Sequence, residues 1–183
     1  MTALVGCSSQ APAAPSAAAT LSERLDALDG AAAALQSSKD LATAHRQAET
    51  VRNLIVGSRG PAYGDGDGDG TIEGEAAAGI LPGLDGSAGL LDAEHPLNSC
   101  VERDALGGSW ADASGRWAEA QDALARWKPG NNTFPSLESH AQRSFGWSSL
   151  ALASDSLSAA HEYSGHLMLH LDVVRRSVES CQG

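Results

Sequence analysis

The chain has 183 residues, of which 12 are basic and 23 acidic, for a formal net charge of −11. That length suits one domain with chain to spare, and so acidic a surface repels nucleic acid and anionic lipid. It contains no run of 18 or more apolar residues that would span a membrane as a helix, and cations are its natural small partners.

At the N-terminus, "LVGC" (Leu4 to Cys7) precedes "SSQAPAAPSAAAT", a composition with too little bulk to pack. LVGC resembles the lipobox of bacterial lipoproteins, in which small and aliphatic residues precede a cysteine that becomes lipid-modified. The resemblance implies an extracytoplasmic protein held at the membrane only through a lipid on Cys7. The basic start and the apolar stretch of a complete export signal are both missing before Cys7, so residues 1–19 read as a truncated signal remnant and disordered tether. The alternative is a disordered tail on a cytosolic protein.

Order is expected from Thr20, which with Glu23 three positions on forms a capping box. Leu21, Leu25, Leu28, Ala32 and Leu35 recur at helical steps. After a phase slip near Lys39, Leu41, Ala44, Ala48, Val51 and Ile55 continue the stripe, which predicts one helix over about 21–57. A second helix is signalled by Ser99 with Glu102, or starts at Ser109 because the Gly107-Gly108 pair is costly inside a helix. Its seam is Trp110, Ala113, Trp117, Ala120, Leu124 and Trp127. A third opens after Pro135 and keeps one seam from Leu150 to Cys181. The expected class is all-α, an up-down-up bundle of three long helices over residues 20–183. The tryptophans read as core.

The inserted loop, 58–98, lacks helical or strand period and carries "DGDGDGTIEGE". Asp65, Asp67 and Asp69 with Gly70 and Thr71 stand at the spacing of the first seven positions of an EF-hand calcium loop, where oxygens at 1, 3, 5 and 7 wrap one ion. Ile72 and Glu73 occupy positions 8 and 9. The stretch resembles a single EF-hand or dockerin-type loop, and the resemblance implies Ca2+ as the cofactor, with Ile72 packed inward. Position 12, ordinarily a bidentate acid, is Ala76, so the last ligand has to come from elsewhere, with Glu75 and Asp85 as candidates. Magnesium suits such a loop less well, because it prefers an octahedral shell with retained waters. The competing reading is a flexible acidic linker that binds nothing, at the expense of three unneutralised carboxylates in close repulsion.

Level ends in a three-helix bundle would bring Cys100 to Cys181. A disulfide there would suit an exported protein and could stabilise it by roughly 4 kcal/mol; two ordinary buried thiols are the alternative. On the same levelling, His45, His166 and His170 share one height, which admits a transition-metal or haem site in the bundle as an alternative function. No nucleophile motif, phosphate loop, dinucleotide fingerprint or CxxC occurs, so no catalytic residue is expected. The sequence thus points to an exported calcium-binding helical-bundle lipoprotein in which Ca2+ orders the inter-helix loop in a structural, sensing or partner-binding role. The partner itself is not named by any motif. A structural interaction protein with an empty acidic linker is the further alternative.

Overall fold

A computed structural model describes residues 19–94 and 100–180, and all of its regular structure is helical. Cys7, Ser99 and Cys181 lie outside the described residues, and with them the lipobox, one half of the expected second capping box and the expected disulfide partner of Cys100. The elements are α1 (Leu21–Ser37), α2 (Leu41–Val56), a short α3 (Leu90–Glu94), a π-helical turn (Val101–Ala105), α4 (Ala113–Arg126), α5 (His140–Leu152) and α6 (Leu157–Ser180).

Two of the three expected helices are each divided in two. The Thr20–Glu23 capping box starts α1, with the Thr20 amide donating to the Glu23 carboxylate at 2.9 Å and the Glu23 amide to Thr20 Oγ1 at 3.3 Å. The phase slip near Lys39 marks a break: Ser38 leaves helical geometry, and Asp40 caps a new helix by accepting the Thr43 amide at 2.8 Å. The third seam breaks likewise at 153–156, where the Ser156 hydroxyl accepts the Ala159 amide and α6 begins. Short polar capping residues offer the backbone an alternative to continued helix, and here that alternative wins twice. The second helix starts at Ala113 with Asp112 as its cap, beyond the left-handed Gly107 and Gly108.

The result is a four-helix ring, α1–α2–α5–α6, with antiparallel neighbours. Arg24 at the start of α1 donates to the Leu54 carbonyl near the end of α2, and His45 near the start of α2 bonds the Ser154 carbonyl beyond the end of α5. Arg175 near the end of α6 pairs with Asp26 and Asp29 near the start of α1, while His161 meets the Ser38 carbonyl at the opposite end. Leu28, Leu35, Ala48, Val51, Phe145, Leu167 and Leu171 fill the ring, each at most 1% exposed. Helix α4 packs outside it on α5, where Trp110, Trp117 and Phe145 meet edge to face at 5.3 Å. Trp110, Trp117 and Trp147 are core residues as expected, and Trp127 is partly buried against them.

The loop from Gly57 to Gly89 folds back along the end of α2. Gly57 closes that helix at φ +63°, and a Cβ there would come within 2.2 Å of the Gly79 amide nitrogen. This is a position for glycine alone. Leu81 then donates to the Ile55 carbonyl, Ser58 to the Ala76 carbonyl, and Arg24 reaches both Leu54 and Ala78 carbonyls. Ile80 and Leu81 insert into the core, which is how a stretch without repeating structure holds a fixed path.

Candidate metal centre

Helix α2 gives one stripe to the bundle and a second, one residue out of phase, to the loop. Glu49, Arg52 and Asn53 make up that second stripe; they are 0%, 8% and 0% exposed. Burial of three such polar side chains demands partners, and the loop backbone supplies them. Glu49 Oε2 accepts the amides of Gly66 (2.6 Å) and Asp67 (3.1 Å), and Oε1 accepts the amide of Glu73 (2.8 Å). Asn53 donates to the carbonyls of Gly64 (3.1 Å) and Glu73 (2.7 Å) and accepts the Gly64 amide. Both ends of the acidic run are therefore pinned to one face of α2.

Between those pins the chain turns on its own side chains. Asp65 accepts the amides of Gly68 at 2.7 Å and Gly70 at 2.9 Å, Asp67 that of Asp69 at 3.1 Å, and Asp69 that of Thr71 at 2.8 Å. Each aspartate so turns the following backbone around its own carboxylate. The consequence is convergence: one oxygen each from Glu49, Asp65 and Asp67 lies within 4.8 Å of the other two. An ion holding oxygens at 2.3–2.6 Å spans about 5 Å across its shell, so the three can share one ion. The oxygens of Asp65 and Asp67 each accept at most one amide and keep a lone pair for a cation, whereas Glu49 Oε2 already accepts two amides and brings its charge rather than a free lone pair. The set is all oxygen and anionic, a hard-donor site suited to calcium, magnesium or manganese rather than to soft metals.

The electrostatics favour a cation too. Burial, together with the neighbouring carboxylates of Asp69, Glu49 and Asp65, pushes the Asp67 carboxyl above its usual range, although the Asp69 amide opposes the shift. Crowding of like charge is relieved by protonation or by a positive ion.

Of the carboxylates expected to bind, Asp65 and Asp67 come together with Glu49; those of Asp69, Glu73 and Glu75 are not in that cluster. Glu73 contributes its backbone instead, giving its amide to Glu49 and its carbonyl to Asn53. Neither candidate for the last ligand is in the cluster. Glu75 is exposed, and Asp85 is engaged by Arg59 at 2.9 Å and by Ser87. Ile72 does not pack inward but is 40% exposed. Glu49 was missed because it precedes the loop, on a helix read only for its apolar seam. The signal was available: Glu49, Arg52 and Asn53 stand at i, i+3 and i+4, a polar stripe hard against the core stripe of Ala48, Val51 and Ile55.

The three histidines expected to share a height do not meet. His45 lies at the end of α5 with Ser154, whereas His170 pairs with His140 at the start of α5, Nδ1 to Nδ1 at 2.9 Å. A helix of 13 residues, about 20 Å long, separates them. His166 stacks on Trp147 at 4.3 Å between ring centres. The levelling assumed flush ends at Gly57 and Cys181. Helix α6 has 24 residues against 16 in α2, and the two are flush at their starts instead.

Among the described residues no helix is long and apolar enough to cross a membrane. No protein-family model, no curated protein and no solved structure matches this chain.

Proposed function

We propose that the chain is an exported calcium-binding helical-bundle lipoprotein, in which one Ca2+ fixes the loop between α2 and α3 in a structural or sensing role. The observation that carries this reading is Glu49: a buried carboxylate on a rigid helix, brought to within 4.8 Å of Asp65 and Asp67 of a loop with EF-hand spacing. It brings from upstream a negative charge in place of the acid that position 12 lacks. Calcium is favoured over magnesium because the donors are carboxylates of mixed exposure on a turning backbone, which suits an irregular shell better than a strict octahedron. Lipidation at Cys7 rests on the LVGC motif and is tested by mass spectrometry of the native N-terminus.

A second reading has its own support. The three amides given to Glu49 can order the loop with no ion at all, making this a structural interaction protein. A calcium titration of thermal stability separates the two. On the calcium reading, millimolar Ca2+ raises the melting temperature, and the rise disappears in Asp65→Ala/Asp69→Ala. A melt that stays fixed across the titration sinks calcium and leaves the self-ordered loop.

A further inference from the structure

Arg52 is a cation on the face that α2 turns to the acidic loop, and its surroundings do not explain it as a tether. It is 8% exposed. Its only hydrogen bond to the loop is Nη2 to the Gly64 carbonyl at 3.2 Å, and Asn53 already serves that carbonyl at 3.1 Å. Its Nε is buried without an acceptor. Among the described residues no carboxylate lies within ion-pairing distance of it. The guanidinium lies instead against the backbone of Gly66, between Asp65 and Asp67, so closely that a Cβ there would come within 2.1 Å of Nη2. Burying a guanidinium without a direct partner is costly. Burial holds the Arg52 guanidinium below its usual range, and the field of Glu49 and Asp67 opposes that effect without cancelling it.

We propose that Arg52 is a built-in counter-cation of the acidic centre, which neutralises part of its charge when no ion is bound and weakens its hold on a divalent ion. The inference rests on the calcium reading for what competes with it, and it adds the residue that sets affinity. Without Arg52, the carboxylates of Glu49, Asp65, Asp67 and Asp69 would have only backbone amides to set against their charge. The arginine lets that loop keep its path without metal, and it repels any ion that enters. The centre is thereby tuned to respond only where the ion is abundant. A neutral side chain of similar length would fill the same space and leave the Gly64 carbonyl to Asn53.

The test is isothermal titration of CaCl2 into the folded full chain, its Arg52→Met variant and its Arg52→Lys variant, with circular dichroism to establish that each is folded. Removing a unit charge this close to a divalent ion should tighten binding about tenfold or more in Arg52→Met, while Arg52→Lys stays near the parent. Calcium binding by the parent with equal or weaker binding by Arg52→Met overturns the counter-cation and leaves the calcium reading standing. Binding by Arg52→Met alone keeps the counter-cation and overturns calcium binding by the native protein. Binding by neither overturns both. If Arg52→Met does not fold, Arg52→Gln takes its place under the same criteria.

Discussion

Glu49→Gln isolates what one buried carboxylate does for the loop. The change keeps shape and volume but removes the charge and turns one acceptor into a donor. The amide oxygen can still take the amides of Gly66 and Asp67, but its NH2 group then faces the Glu73 amide, donor against donor. Hydrogen bonds to a charged group contribute about 1.5–3 kcal/mol, and a buried donor left without a partner costs about 1–3 kcal/mol. A net loss of about 3 kcal/mol follows, which for a chain of this size lowers the melting temperature by about 6–12 °C. Urea unfolding followed by far-UV circular dichroism, in chelator so that no ion contributes, measures it. Hydrogen exchange supplies the local readout: the amides of Gly66, Asp67 and Glu73 should lose protection together while the α1–α6 contact keeps its own. A destabilisation under about 1 kcal/mol, or unchanged exchange at those three amides, refutes the role given to Glu49.

Two further outcomes are expected. Burial first, then His140, Arg143 and His166, depress the His170 imidazolium to a pKa of about 3; burial first, then Arg143, lower His140, with Asp104 opposing. Both groups gain protons more readily in the unfolded chain, near the ordinary 6.5, so the stability they confer is complete above that pH and is lost as pH falls from 6.5 toward 3. Replacing His170 with Gln should flatten the dependence of stability on pH between 7 and 4, and an unaltered slope would count against the pair. At Gly57 an alanine would strain a φ of +63° and drive its Cβ into the Gly79 backbone, so Gly57→Ala should cost about 2 kcal/mol or more in the same urea assay. A neutral result there would mean the loop does not fold back against α2 as described.

The sequence made the helical class, the Thr20 cap and the apolar seams legible because each is a local pattern: a cap spans three residues and a stripe repeats within a turn. The count of helices was harder to see, since a stripe with a phase slip looks the same whether the chain continues or reverses. At Ser38–Asp40 a capping aspartate, not a change in hydrophobicity, decides for reversal. The acidic loop announced itself through Asp65 and Asp67. Its third carboxylate could not be found by extending the loop pattern forward, because Glu49 reaches the centre through the backward fold of the chain past Gly57. The histidines misled for a related reason: their heights depend on which ends of α2 and α6 are flush, and no spacing within either helix records that.

The chain separations involved also bear on the order in which the molecule can assemble. Glu49 meets Gly66 across 17 positions and Asn53 meets Gly64 across 11, whereas the clasp of Arg175 on Asp26 joins points 149 apart. Short closures lose little chain entropy and form readily, and the distant one has to wait for nearly the whole polypeptide. The acidic corner can therefore take shape on a nascent chain whose last helix has not yet been made, with the ring of helices locking around it afterwards.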